Sequence, residues 1–242
     1  LGQTEADAER LRQLGAPQAK CLGNLKFAVA PLPADERELA GLAETFGDRP
    51  RWLAASTHAG EEDIAGRVHS LIKVNFPTLL TIVVPRHPER GQEIAEAMRK
   101  TGLTVALRSA GDAPTPGTDI YVADTLGELG LFYRLCGIVF MGKSLVPLGG
   151  QNPLEAARLD CSLIHGPHMA NFEEMAHHLR QAGASEEVAD EAALALCVER
   201  LLADDRERAR RAAAAKTAAE AEAGVIDAVM MELAPFIESL SG

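Results

Sequence analysis

The sequence predicts an α/β fold, a Rossmann-like parallel sheet with helices on both faces, followed by trailing helices. Short apolar runs rich in Val, Ile and Leu recur along the chain, and stretches with helical periodicity separate them. Neighbouring parallel strands need a crossover connection, which is usually a helix. Strands that alternate with helices therefore indicate a parallel sheet that is covered on both faces.

The predicted elements follow in order from the first residues to about residue 182. Gly15 and Pro17 end a first helix, and Pro31 and Pro33 start a second. Apolar, partly β-branched runs then mark strands, and the Pro- and Gly-containing segment 109–118 is a loop. The predicted helices are 4–15, 31–46, 61–74, 88–100, 126–135, 152–159 and 170–182, and the predicted strands are 20–22, 52–55, 79–84, 103–107, 120–123, 138–141 and 161–164.

The C-terminal part differs in composition from the rest. From Glu186 onward the chain is Ala-rich and acidic, and its Ala-Lys and Ala-Glu runs favour helix throughout. We therefore predict a Rossmann-like domain over residues 1–184 and a helical extension over 185–242 that packs on it or crosses back from it. The arginine cluster of residues 206–211 meets anionic lipid headgroups or, alternatively, is a solvated helix face.

Composition excludes several classes of function. A net charge of −11 and an aromatic fraction of only 4% argue against nucleic-acid binding. No apolar run approaches the length of a membrane span. The absence of an initiator Met suggests a fragment or a processed product. The four cysteines are far apart without metal-ligand spacing and are predicted to be reduced core residues of a cytosolic protein: Cys21, Cys136, Cys161 and Cys197.

The strongest local signal is the segment 141–155, MGKSLVPLGGQNPLE, which runs from a strand through a Gly-rich turn into a helix. Gly142 permits close approach of a ligand, and Lys143 and Ser144 supply a charge and a hydroxyl. The helix begins near Asn152, where its free backbone N–H groups can donate to a ligand. Glu155 lies one turn inside, where a carboxylate can accept two hydrogen bonds from a ribose diol. The alternative is an ordinary loop whose glycines only allow turning.

Five of the predicted strands are each followed by polar residues. In an open parallel sheet, ligands bind beyond the carboxyl ends of the strands, so these residues should share one edge. Five such groups are difficult to explain without a ligand. They are the segments 56–62, 85–90, 124–128, 142–155 and 165–171.

Two of these groups also have structural interpretations. Ser56 and Thr57 are favoured N-cap residues for the next helix, or they contact a ligand. Arg86 either pairs with Glu89 or presents the planar guanidinium that phosphate recognition uses. The sequence leaves both questions open.

The histidines and the segment after residue 123 are also ambiguous. His58, His87 and His168 are proton carriers, metal ligands or hydrogen-bonding wall residues, but no His or carboxylate spacing indicates a metal, so we predict none. Asp124 either caps the next helix or touches a ligand. Exposed amides at the predicted first turn of that helix suit a phosphate or a pyrimidine edge, and they belong to Leu126, Gly127 and Glu128.

Several motifs in order resemble one family. STHAGEE at 56–62, PRHPER at 85–90, DTLGELGLFY at 124–133, the SLV and GGQNPLE elements at 144–155 and GPHMANF at 166–172, together with GNLKF at 23–27, resemble the 3-deoxy-D-manno-octulosonic acid (Kdo) transferases. The resemblance covers roughly residues 3–200. Many relatives have Gly-Gly-Ser where this chain has Lys143, and Gly-Gly-His-Asn-Pro where it has Gln151.

The resemblance implies an inverting GT-B glycosyltransferase with two Rossmann-like domains facing a cleft. Such enzymes transfer Kdo from CMP-Kdo to a lipid A precursor during lipopolysaccharide assembly at the cytoplasmic face of the bacterial inner membrane. This chain would be the C-terminal, donor-binding half. The N-terminal half would carry the membrane anchor, the acceptor surface and the catalytic base, so this chain alone would bind donor without turning it over.

The resemblance also implies roles for the candidate residues, with no catalytic residue in this half, no cofactor and no metal. Alternatives are another GT-B enzyme that uses a UDP-sugar, or a non-catalytic α/β binding module. The residues expected to contact the departing phosphate are Arg86, Lys143, Ser144 and amides near Gly142 and Gly127. The expected ribose ligands are Asn152 and Glu155, and Ser56 and Thr57 are expected near the sugar carboxylate or phosphate. The donor-binding set is completed by the flanking His58, His87, Leu126 and Glu128.

Overall fold

The computed structural model describes residues 1–23, 30–221 and 224–240. Contacts divide the chain into two compact units, Pro31–Lys216 and Leu1–Ala30 together with Thr217–Gly242. Most of the GNLKF motif, residues 24–27, lies outside the described residues. The proposed domain boundary after residue 184 stays a prediction.

The predicted fold class is confirmed. In the described residues of the larger unit, a seven-stranded, all-parallel sheet has the order β3-β4-β2-β1-β5-β6-β7, with helices around it. The strands are β1 Arg51–Thr57, β2 Leu80–Pro85, β3 Val105–Leu107, β4 Ile120–Val122, β5 Ile138–Met141, β6 Ser162–His165 and β7 Ser185–Glu187.

The helices match most of the predicted ones, with shorter bounds. The predicted helix 126–135 begins only at Leu129, and the predicted helix 152–159 is reduced to four residues. The helices are α1 Glu5–Gln13, α2 Glu36–Phe46, α3 Glu61–Ile72, α4 Gly91–Lys100, α5 Leu129–Leu135, α6 Leu154–Ala157, α7 Glu173–Gln181, α8 Glu191–Ala203, α9 Asp205–Ala221 and α10 Val225–Leu240.

Burial explains the order of the strands. β4 lies inside the sheet between β2 and β3, and its three side chains are almost completely buried. β3 comes earlier in the chain but forms the edge, and its Val105 and Ala106 are slightly more exposed. β1 occupies the centre, with β2 on one side and β5 on the other. The chain reverses its direction of winding between β1 and β5, which places a topological switch point at their carboxyl ends.

The prediction of helix throughout from Glu186 is wrong at its start. Residues Ser185–Glu187 form β7, which pairs in parallel with β6 at the edge of the sheet. A Ser-Glu-Glu segment has low β-propensity and no apolar pattern, so the sequence does not signal a strand. A short, charged strand is nevertheless well suited to an edge, because it discourages pairing with another chain. The helix α8 begins at Glu191, where the Asp190 side chain caps it.

The smaller unit contains α1 and α10. Thr4 caps α1 by accepting a hydrogen bond from the Asp7 amide, and Lys20 pairs with Glu232 of α10 at 2.6 Å. No helix within the described ranges is both long and apolar enough to span a bilayer.

The arginine cluster on α9 is engaged within the chain. Arg210 and Arg211 both bind the Glu207 carboxylate at 2.7 Å, and Arg208 pairs with Asp205 at 2.8 Å. These contacts favour the solvated, internally balanced helix face over a lipid-binding surface.

Candidate functional site

The carboxyl ends of β1 and β5 meet at the switch point through backbone contacts. Ser56 lies in a bulge of β1 with a left-handed backbone, φ 53°. The Gly142 amide donates to the Ala55 carbonyl at 2.8 Å. A Cβ atom at position 142 would lie 2.5 Å from the Ser56 carbonyl oxygen, so only glycine fits there. The two segments that the sequence singles out are therefore in direct contact.

Ser144 connects the end of β5 to the end of β6. Its side chain is fully buried. The hydroxyl donates to the Met141 carbonyl and accepts a hydrogen bond from the Gly166 amide at 2.8 Å. Because both bonds are internal, the Ser144 hydroxyl positions the loops, and we do not assign it a ligand contact.

A residue outside the predicted set, Glu61, lies at the centre of these loops. Its carboxylate is 1% exposed and accepts hydrogen bonds from four backbone amides. Oε2 accepts from His58 at 3.0 Å and Lys143 at 2.6 Å, and Oε1 accepts from Ser144 and Leu145 at 3.0 Å each. The amides just after Gly142, which the sequence offers to a ligand, are thus bound to a carboxylate of the protein.

Two cations stand beside this arrangement. Arg86 follows β2, and its amide donates to the Thr57 carbonyl at 2.9 Å, which joins the ends of β2 and β1. Its side chain is exposed, and Lys143 is half-buried. Among the described residues neither cationic group has an ion-pair partner, and the alternative pairing of Arg86 with Glu89 does not occur. Both charges are available to an anion.

His58 and His87 lie edge to face, with ring centroids 5.7 Å apart. Burial lowers the pKa of His58, and the nearby charges of Lys143 and His87 act in the same direction, whereas the Ser56 carbonyl and Glu61 oppose them. His58 is half-buried and His87 is exposed. A neutral imidazole beside two cations can donate to or accept from a polar ligand.

Glu155 and Asn152 open the short α6. Burial raises the pKa of Glu155 above its usual range, while a hydrogen bond from Asn152 and the charge of Arg86 lower it. The Asn152 side chain also accepts from the Leu154 amide at 3.1 Å. Arg86 is therefore close enough to interact with Glu155 across the carboxyl edge of the sheet.

The turn after β4 is tied to a different neighbour. Leu126 is 83% exposed, and Glu128 directly precedes α5. The Glu128 carboxylate accepts two hydrogen bonds of 2.5 Å from Arg108, which lower its pKa. Glu128 is therefore committed to holding the turn, whereas Leu126 and Gly127 remain at the surface of the same sheet edge. No described contact joins this turn to Arg86 or Glu155.

The capping alternatives are also resolved. Gly60 precedes α3, and no side chain caps that helix, so neither Ser56 nor Thr57 serves as its N-cap. Thr57 is 1% exposed. Asp124 accepts hydrogen bonds from the amide and the hydroxyl of Ser109 at 2.9 and 2.6 Å. It therefore does not form the predicted cap, and its position is not exposed.

Two further features surround the site. Next to the β5 and β6 loops is a cleft of about 370 Å³, lined by residues that include His168, Met169 and Arg180. Across the described parts of the chain, no group of three or more His, Cys, Asp or Glu side chains is arranged to hold a metal ion.

The sequence did not identify Glu61 and Arg108 as parts of the candidate site. Glu61 stands in the quoted STHAGEE motif, so its position after β1 was a signal. Three of its four partners, however, lie more than 80 residues away, at 143–145. Arg108 directly precedes the segment interpreted as a loop, and only the strand order brings it to Glu128.

The chain is similar in sequence to known proteins. The 3-deoxy-D-manno-octulosonic acid transferase of Haemophilus influenzae is 34% identical over 240 residues, which cover 98% of this chain and 56% of that protein. The transferase of the same name from Bordetella pertussis is 35% identical over 228 residues, covering 93% and 53%. The chain thus spans about half the length of these relatives. No protein-family model matches it.

A solved structure is also similar. The C-terminal CMP-Kdo binding domain of WaaA from Acinetobacter baumannii superposes with a TM-score of 0.72 at 31% identity. The match covers 75% of this chain and 96% of that domain.

Proposed function

The chain belongs to the Kdo transferase family, and from this membership we propose that it is the donor-binding part of an inverting GT-B glycosyltransferase whose donor is CMP-Kdo. The similar domain from Acinetobacter baumannii is named for binding CMP-Kdo. The proposal transfers that ligand to the carboxyl edge of this sheet.

The arrangement at the switch point carries the proposal. The contact between Ser56 and Gly142 closes the β1 and β5 loops against each other. Arg86 and Lys143, which have no ion-pair partner within the described ranges, flank them. Glu155 lies within electrostatic reach of Arg86. A nucleoside monophosphate joined to an acidic sugar presents two anionic groups and a ribose diol, which match two cations and one carboxylate.

The transfer itself makes defined demands. The acceptor hydroxyl oxygen forms a bond to the anomeric carbon of Kdo as the bond from that carbon to the CMP phosphate oxygen breaks, with inversion. A base takes the hydroxyl proton, and the phosphate leaves with the electron pair. We propose that Arg86 and Lys143 stabilise the charge on the departing phosphate, without a role for a metal.

The remaining candidates receive subsidiary roles in this proposal. Ser56 and Thr57 border the sugar carboxylate or phosphate, and the His58–His87 pair forms a polar wall beside them. The exposed turn of Leu126 and Gly127 offers backbone groups to the cytosine edge. Gly142 allows close approach of the loops, and Asn152 orients Glu155 toward the ribose.

The activity of the whole protein is likewise a proposal. We assign the catalytic base, the surface for the lipid A precursor and the membrane anchor to the part of the relatives' length that this chain does not span. On this basis we expect the full enzyme to act at the cytoplasmic face of the inner membrane. We also expect the present chain to bind donor without transferring sugar.

Calorimetric titration with CMP tests the proposal. CMP should bind, UDP should bind more weakly, and chelation of divalent metals by EDTA should leave CMP binding unchanged. Arg86→Ala should weaken CMP binding about 10- to 100-fold, because a charge-assisted bond to phosphate contributes about 1.5–3 kcal/mol. Arg37→Ala, an exposed arginine on α2, should bind CMP like the wild type. Tighter binding of UDP than CMP would assign a different donor, and no nucleotide binding would leave a non-catalytic module.

The ribose assignment of Glu155 is tested separately with 2′-deoxy-CMP. Wild type should bind the deoxynucleotide about tenfold more weakly than CMP, because a carboxylate that faces one hydroxyl loses a charged hydrogen bond. In Glu155→Ala the two nucleotides should bind equally, since the discriminating group is gone. If the variant still prefers CMP by the wild-type factor, Glu155 does not contact the ribose. Glu89→Ala, an exposed carboxylate after β2, is the control and should keep the full preference.

A further inference from the structure

The Gly-rich loop after β5 arranges its backbone amides as an anion-binding loop does, and a carboxylate of the protein itself occupies the anion position. Three consecutive amides, of residues 143–145, converge on the two oxygens of one carboxylate, that of Glu61. Consecutive amides of this kind form the concavity in which loops hold phosphates. Since each N–H already has an acceptor, these amides are not available to a ligand.

The same carboxylate joins the loop to the end of β1. Its fourth hydrogen bond comes from the His58 amide, which belongs to the β1 loop. Glu61 therefore links the two loops that meet at the switch point. No ion pair with Glu61 occurs among the described residues, so backbone dipoles rather than a cation balance the carboxylate.

We propose that Glu61 is a positioning residue: it acts as the built-in anion of the loop and fixes the β1 and β5 loops in the arrangement that receives the donor. The donor phosphate then depends on the side chains of Arg86 and Lys143 instead of on the loop amides. The part of this inference that concerns the donor rests on the proposed function, whereas the part that concerns the loop does not.

Glu61→Ala in the 242-residue chain tests the proposal by two independent measurements. Hydrogen exchange of the amides of residues 143–145 should accelerate about tenfold or more, since each loses its acceptor. CMP affinity should fall about tenfold or more, because the loops lose their link. The substitution removes a CH2–COO⁻ group, so acetate is the matching fragment. Millimolar acetate should slow the exchange again and restore part of the CMP affinity.

Acetate rescue separates a built-in anion from simple packing. A carboxylate that only filled space would leave exchange and affinity insensitive to acetate, and that result would overturn the proposal, as would unchanged exchange in the variant. Should Glu61→Ala fail to fold, Glu61→Gln provides an exchange readout for the two amides that its NH2 group would face, because that group cannot accept from them. Unaccelerated exchange in Glu61→Gln would likewise overturn the proposal.

A matched control removes another buried carboxylate. Asp119 is 6% exposed at the opposite edge of the sheet, where it accepts from the Thr104 amide at 2.9 Å. Asp119→Asn should leave exchange at residues 143–145 and CMP affinity as in the wild type. If wild type binds no CMP, the proposed function fails, while the exchange arms still decide the role of Glu61.

Discussion

Gly166→Ala is expected to lower the free energy of unfolding by about 4 kcal/mol. A Cβ atom at this position would lie 2.2 Å from the Ser144 carbonyl oxygen and 2.6 Å from the Leu145 nitrogen. Both are backbone atoms, so the β5 and β6 loops must separate. Overpacking costs about 1–3 kcal/mol, and each buried hydrogen bond that is lost costs about 1–3 kcal/mol more. This separation would weaken the hydrogen bonds that the Gly166 and His168 amides donate to Ser144.

Urea denaturation measures this loss, and Gly137→Ala is the matched control. Gly137 precedes β5, and a Cβ atom there would meet only the flexible Arg208 side chain, at 3.4 Å. The control should therefore change stability by less than about 1 kcal/mol. If the stability of Gly166→Ala lies within that same margin of wild type, the β5 and β6 loops can separate at little cost, and the expected overpacking does not occur.

Acidification from pH 7 to pH 4 is expected to remove about 3 kcal/mol of stability through one residue, His69. Its ring is completely buried, with Nδ1 2.9 Å from the Thr81 hydroxyl and Nε2 3.4 Å from Asp119. Burial lowers the pKa of His69 to about 4, and the charges of Lys73 and Arg49 act in the same direction, although Asp119 opposes them.

The direction of the effect follows from proton binding. Unfolded His69 takes up a proton below about pH 6.5, whereas the folded ring stays neutral until about pH 4. Between these values the unfolded chain binds more protons, so stability falls as pH falls. A difference of about 2.5 pH units corresponds to about 3 kcal/mol at 1.36 kcal/mol per unit. At neutral pH the contribution is fully present.

Chemical denaturation at a series of pH values tests this expectation. His69→Gln should lose about 3 kcal/mol less than wild type between pH 7 and pH 4, because glutamine does not titrate. His177→Gln, an exposed histidine on α7, should retain the wild-type slope. Equal losses in wild type and His69→Gln would assign the acid sensitivity to other groups, such as His165, whose pKa burial also lowers.

The central part of the fold was predictable because its signal is local. The β1, β2, β5 and β6 strands are mostly apolar and almost entirely buried, and such apolar runs between helices indicate parallel strands. The edges were less predictable. β7 has no apolar pattern that would mark it as a strand. β4 lies closer to the centre of the sheet than β3 does, and this order depends on which of the two short strands takes the more buried place.

The site was predictable in location but not in its internal bonding. Residues that follow parallel strands share one edge, so spacing alone brings Arg86 and Gly142 to the same side of the sheet. Spacing does not reveal that Glu61 takes the loop amides or that Ser144 is fully buried, since both result from pairing between distant segments. The donor-binding roles themselves remain predictions.

Lys143 shows how stability and charge compete in such a loop. Its backbone lies at φ 63°, a conformation that costs a residue with a side chain about 1–2 kcal/mol and costs glycine nothing. Glycine at position 143 would adopt the same backbone without this cost. A chain selected for heat resistance alone would therefore drift toward glycine, and retention of the lysine would mark lineages in which an extra positive charge outweighs a more relaxed backbone.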